Sequence, residues 1–214
     1  MSGQVKYKLT YFNQRARGEP IRLIFAAAKV PYEDFRIEKS GWGPLKEDYP
    51  WGHLPLLEVD GVKLAESSAI CRFLGERFHL AGDSEWDAAK CDEYVSAMMD
   101  LRTNWLAFLR ESDQERKAKL RKEFLEEHVP KNFEKFDKIL SSSGGDFLLG
   151  EKYTWADLHV AHNFAFFEEC VDSTILSEYP RLAKFVGDVF AIPQITKWVE
   201  TRPQNSDKAI FFNK

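Results

Sequence analysis

An α+β fold in two parts is what this sequence predicts, on two observations. Through about residue 80 the apolar positions switch between the strand period and the helix period, and from about residue 84 only helical spacing and helix punctuation remain. The first strand is Val5-Lys6-Tyr7-Lys8-Leu9-Thr10-Tyr11, an alternating run. Gly18-Glu19-Pro20 then opens a helix whose Ile21, Leu23, Ile24, Phe25 and Ala28 supply an apolar face, and Pro31 ends it. Glu33, Phe35 and Ile37 share one face of a second strand, which gives way to a loop containing Ser40, Gly41, Gly43 and Pro44. Leu56 to Val59 and Val62 to Leu64 flank Asp60-Gly61, a hairpin turn that needs positive φ angles. Ser67 precedes a last helix striped by Ile70, Phe73, Leu74 and Phe78.

The order β-α-β, loop, β-β-α is that of a thioredoxin-like domain, assigned to residues 1–80. Residues 84–214 form an all-α helical domain. Ser84-Glu85-Trp86-Asp87 resembles a capping box and opens a long helix through Met98 and Trp105 towards Leu109. Gln114 to His128 is a charged, solvated helix expected to end at Pro130. Gly144-Gly145 marks a loop, and Thr154-Trp155-Ala156-Asp157 is a second capping signature that makes Asp157 a folding residue. Pro180 and Pro193 punctuate two short helices before an aromatic tail, Ile210-Phe211-Phe212.

Composition narrows the function. A formal charge of −4, from 30 basic and 34 acidic residues, offers no basic field for nucleic acid and no polybasic membrane anchor. The opening Met1-Ser2-Gly3-Gln4-Val5 lacks the apolar segment of a signal peptide, and Arg22 and Lys29 interrupt the best apolar run, so a cytoplasmic location is expected. Cys71, Cys91 and Cys170 fit neither a disulfide frame nor a zinc motif and read as reduced, structural thiols. His159 and His162 share a helix face but have no third ligand at a recognisable spacing, so no metal site is assigned. Dinucleotide, Walker and serine-hydrolase motifs are absent.

Tyr11 ends the first strand, where a phenol serves either as core bulk or as a chemical group. A redox thioredoxin needs a cysteine near this point, and Tyr11-Phe12-Asn13-Gln14-Arg15 has none. Any sulfur handled by this fold must therefore arrive on the substrate.

Four ordered segments carry a family resemblance: Tyr11 to Glu19, Ser40 to Lys46, Pro50 to Gly61, and Glu66 to Ile70. Together with Leu149 to Asp157, which looks like a helical-domain capping motif, they resemble the cytosolic glutathione transferases, most closely the sigma class. The resemblance spans essentially the whole chain. It implies a glutathione-binding set of Tyr11, Arg17, Trp42, Lys46, His53, Leu54, Pro55, Glu66, Ser67 and Asp100, with Tyr11 catalytic. It also implies a cis Pro55 that leaves the Leu54 backbone to pair with an extended peptide; a trans proline starting an edge strand is the plain alternative. Ser67 at a helix start offers hydroxyl, N–H and dipole to the γ-glutamyl carboxylate, and capping the helix is compatible with that. Glu66 replaces the Gln usual in the sigma pattern and faces the γ-glutamyl ammonium. Trp42 and Lys46 match the positions that hold the glycyl carboxylate. Asp100 matches an acid that reaches into a neighbouring subunit, which implies a homodimer, or else is a solvated helix acid. Arg17 adds positive potential near the sulfur or stiffens its loop by an ion pair. Ser96 and Met99 stand where prostaglandin-isomerising sigma enzymes carry cation-linked acids, so metal activation is not expected. Phe12, Trp105 and Phe108 are candidates for an apolar acceptor pocket.

The expected activity is conjugation of glutathione, as co-substrate and with no bound cofactor, to apolar electrophiles. Two alternatives stand beside it: a glutathione-dependent prostaglandin isomerase, and a non-catalytic carrier of apolar ligands or haem.

Overall fold

The computed structural model describes residues 5–204; the Met1 to Gln4 start and the Ile210-Phe211-Phe212 tail lie outside them. The described chain divides into two compact units, one of residues 5–80 with 191–204 and one of residues 81–190.

In the first unit, β1 (Tyr7–Phe12) pairs in parallel with β2 (Glu33–Ile37) and antiparallel with β3 (Leu56–Val59), which pairs antiparallel with β4 (Val62–Ala65). The sheet order is β2-β1-β3-β4. The parallel pair needs a crossover, and α1 (Glu19–Ala28) supplies it, packing against α3 (Ser67–Arg77). Leu9, Ile21, Ile24, Phe25, Leu57, Ile70 and Leu74 are buried between sheet and helices. The Asp60-Gly61 turn takes the positive φ angles its sequence requires, 49° and 86°. Residues 39–48, expected as loop, instead form three short helical turns, Lys39–Gly41, α2 (Trp42–Leu45) and Lys46–Asp48. Their i to i+3 hydrogen bonds satisfy a backbone that has no strand to pair with.

The first unit is not contiguous in sequence. Helix α9 (Pro193–Thr201), assigned from sequence to the helical part, packs against α1. The cause is a buried carboxylate: Glu19 accepts from Trp198 Nε1 at 2.9 Å and Arg202 Nη1 at 2.8 Å. Two residues of the C-terminal segment thus supply donors that a carboxylate of 1% exposure needs.

The second unit holds α4 (Glu85–Arg110), α5 (Gln114–Glu123), α6 (Val129–Ser142), α7 (Trp155–Cys170) and α8 (Pro180–Phe190). Its core is dense in aromatics, with Trp105, Phe124, Phe133, Phe164, Phe166, Phe167 and Phe185 almost fully buried. The expected stop at Pro130 does not occur. A π-helical turn, Phe124–His128, leads directly into α6 with Pro130 in its first turn, a position that needs no N–H donor. Asp157 closes the predicted capping box at α7, accepting from Thr154 N and Thr154 Oγ1 at 2.7 Å each and from Leu148 N at 2.8 Å. Among the described residues no helix is long and apolar enough to cross a membrane.

Candidate active site

Tyr11 lies near the end of β1 and is 5% exposed. It shares an apolar cluster with Ala16, Ile37, Leu54, Leu56 and Ala65, against which Phe12, Trp42 and Tyr49 pack. Four of the residues singled out from sequence, Tyr11, Phe12, Trp42 and Leu54, therefore meet in one place. Edge-to-face contacts of Trp42 with Phe12 at 5.7 Å and with Tyr49 at 4.9 Å hold the indole.

The Tyr11 hydroxyl accepts the backbone N–H of Arg17 at 3.2 Å. That bond uses a lone pair of the oxygen and not its proton, and it makes the phenol a better donor. The motif acts on Tyr11 here through the Arg17 main chain. The segment 13–18 turns tightly to bring that amide round, with Ala16 at a positive φ of 31° and Gly18 N bonded to Arg15 O at 2.9 Å. Gly18 is the residue over which the ring lies: a Cβ there would come within 2.9 Å of Tyr11 Cγ and closer still to Cδ1. From sequence Gly18 marks only a helix start, and nothing local signals its second duty.

At the other side of the cluster the Leu54–Pro55 peptide is cis, and Leu54 is buried. His53 Nε2 and Glu66 Oε1 are 3.2 Å apart, both side chains half exposed, so these two candidate ligands are paired with each other. Glu66 adopts φ 71°, ψ 114°, a conformation that costs a non-glycine residue about 1–3 kcal/mol and marks functional segments more often than ordinary turns. This backbone places Ser67, 4% exposed, in the first turn of α3, where unpaired amides and the helix dipole favour an anion. Lys46 is exposed, and its methylene stem crosses Gly52, whose φ is 61° and where a Cβ would sit 3.3 Å from Lys46 Cε.

The remaining candidates lie in the second unit. Asp100 is exposed on α4. Trp105 is 1% exposed and wedged edge-on against Phe166 and Phe167, with the Arg102 guanidinium 5.2 Å from its ring; Phe108 packs against Phe124. Among the described residues no group of three or more His, Cys, Asp or Glu is arranged to hold a metal ion.

Sequence reasoning also missed Arg22. Its guanidinium is fully buried beneath the 13–18 turn, and its pKa is raised: burial opposes the charge, and the nearby Asp34 and Glu19 more than offset that. The available signal was a cation inside the apolar run Ile21 to Val30.

A thioredoxin-like sheet that carries a buried tyrosine where redox relatives need cysteine, in a chain with an all-helical unit, defines the class. The glutathione S-transferase N-terminal domain model matches residues 7–76 and the corresponding C-terminal domain model matches residues 99–202. The chain is 39% identical to glutathione S-transferase 1 of Ascaris suum, over 93% of its own length and 98% of that protein's. The structure of prostaglandin synthase D of Nilaparvata lugens superposes with a TM-score of 0.88 at 37% identity, covering 93% of this chain and 99% of that one. A glutathione S-transferase of the hookworm Necator americanus, described as monomeric, gives 0.86 at 37% identity, covering 94% and 98%. The chain belongs to the glutathione S-transferase family.

Proposed function

We propose that this chain is a cytosolic, homodimeric glutathione transferase of sigma type, which activates the glutathione thiol and conjugates it to apolar electrophiles. The observation that carries the reading is the Tyr11 hydroxyl, oriented by Arg17 N–H in the cluster that also holds Leu54 and Trp42. A free thiol titrates near about 8.5 and is only a few per cent ionised at neutral pH. A phenolic proton donated to sulfur stabilises the thiolate selectively, and lowering the thiol's pKa by about two pH units takes about 2.7 kcal/mol. In this reading Leu54 pairs its backbone with the peptide, Ser67 and Glu66 take the γ-glutamyl carboxylate and ammonium, and Trp42 and Lys46 take the glycyl carboxylate. Phe12, Trp105 and Phe108 contribute to the acceptor side, and Asp100 of one copy completes the site of the other.

Chlorodinitrobenzene conjugation by wild type and Tyr11→Phe tests the assignment, with an expected loss of about a hundredfold in kcat/KM for the variant. Equal rates would sink the role of Tyr11, and no turnover by either would favour a carrier of apolar ligands. The likeness to a prostaglandin synthase favours a second reading, isomerisation of a prostaglandin endoperoxide with glutathione returned unchanged. Product analysis separates the two. Sedimentation of the purified chain tests the dimer, which the monomeric hookworm relative makes a real question.

A further inference from the structure

Arg22 is a buried cation that touches the turn presenting Arg17 N–H to Tyr11, and the thiol-activating reading gives it no role. Its donors divide between two tasks. Nε meets Asp34 Oδ1 at 3.1 Å and Nη1 meets Glu19 Oε2 at 3.3 Å, which neutralise the charge. Nη1 also donates to Gln14 O at 2.6 Å and Nη2 to Phe12 O at 3.4 Å. Those carbonyls bracket Asn13 at the point where the chain leaves β1 and begins to turn. The guanidinium centre lies 5.8 Å from the Tyr11 ring centroid. An ion pair that served stability alone would need only the two carboxylates. Here the planar fork spans both acids and both loop carbonyls from three separate nitrogens, a geometry that an ammonium, whose three N–H groups radiate from one nitrogen, cannot reproduce. Arg36 adds a partial second tether, donating from Nη1 to Asn13 Oδ1 at 3.0 Å.

We propose that Arg22 is a positioning residue for the thiol-activating tyrosine: it fixes the Phe12 and Gln14 carbonyls, and through them the turn whose Arg17 N–H orients the Tyr11 hydroxyl. The inference rests on the reading of Tyr11 above. It makes the acidity of bound glutathione depend on a side chain buried behind the loop.

The test is an ultraviolet titration of the thiolate of glutathione bound to wild type, Tyr11→Phe, Arg22→Lys and the Tyr11→Phe/Arg22→Lys double variant, with thermal melts alongside. Arg22→Lys keeps the charge but loses the fork. It is expected to raise the thiol midpoint by about one pH unit and, by cutting the thiolate fraction, to cost about threefold in kcat/KM at neutral pH. In the Tyr11→Phe background the same substitution is expected to move the midpoint no further. A lowered melting temperature with an unmoved midpoint would overturn the proposal, as would equal displacements in both backgrounds, which would mean that Arg22 acts on the sulfur by a route that does not pass through Tyr11. If Tyr11→Phe itself leaves the midpoint in place, both readings fall; if Tyr11→Phe moves it and Arg22→Lys does not, only this one falls. Should Arg22→Lys fail to fold, Asp34→Asn, which loosens the guanidinium from a partly exposed position, carries the test: a smaller rise in the same direction supports the proposal and none overturns it.

Discussion

Glu19 in the first unit and Asp157 in the second are both buried carboxylates, and they are satisfied in opposite ways. Glu19 takes cationic donors, Arg22 and Arg202, together with the Trp198 indole. Asp157 takes neutral ones, two backbone amides and a threonine hydroxyl. The difference follows what each holds. Asp157 closes a regular helix, and its donors are the N-cap Thr154 and the Leu148 amide of the segment that leads into it. Glu19 belongs to a cluster that restrains an irregular turn and a distant helix, and acceptors spread round such a turn suit the wide planar fork of arginine, whose five donors project in fixed directions.

The largest expected effect breaks the ionic side. Glu19→Ala leaves Arg22 with one carboxylate partner and deprives Trp198 and Arg202 of theirs, so unfolding in denaturant should show a loss of about 3–5 kcal/mol. A loss below that of an ordinary cap deletion would show that the cluster contributes little to stability.

Asp157 sharpens the neutral side. Burial pushes its carboxyl up to about 6 from an ordinary 3.8, against the hydrogen bonds that favour the ion. The folded state therefore holds this proton more tightly than the unfolded chain, and the group's contribution to stability falls as pH rises through that window. The advantage of wild type over Asp157→Asn, measured by denaturation, should shrink by about 3 kcal/mol between about pH 4 and pH 6 and stay level above. An advantage that widens instead would show that the three donors outweigh burial.

Gly18→Ala tests steric fit where the first two test charge. The new methyl must displace the Tyr11 ring, since the backbone at Gly18, with φ −82°, accepts alanine. The expected outcome is about a tenfold loss in kcat/KM with the fold retained by circular dichroism. The smallest effect concerns thiols: Cys71 and Cys91 are buried, with burial pushing Cys91 up to about 11, whereas Cys170 is partly exposed. A thiol reagent should modify Cys170 first in the native protein, without loss of stability; rapid reaction of all three would contradict the packing.

Much of this was legible along the chain because it depends on neighbours in sequence. The Asp60-Gly61 hairpin, the Thr154 to Asp157 capping box and the strand ending near Tyr11 are local patterns, set by backbone freedom and hydrogen bonds that close within a few residues. Pro130 misled for the same reason: as a local signal it reads as a stop, yet a π-helical turn ahead of it lets the helix resume. Glu66 was visible as a departure from pattern, but its positive φ was not, and its pairing with His53 was not, since that pairing needs two separate segments to meet.

What the sequence determined by itself is the order of most elements, the tyrosine in place of a redox cysteine, and the family to which the chain belongs. What only the tertiary structure decided is how that tyrosine is held. Gly18, the Arg17 amide and the Arg22 fork act across turns and between elements, and α9 reaches Glu19 from residues 198 and 202. Hydrophobic period and capping are short-range and leave a trace in the order of residues. A buried cation finds its partners by geometry, and in the sequence Arg22 is only an interruption of an apolar run.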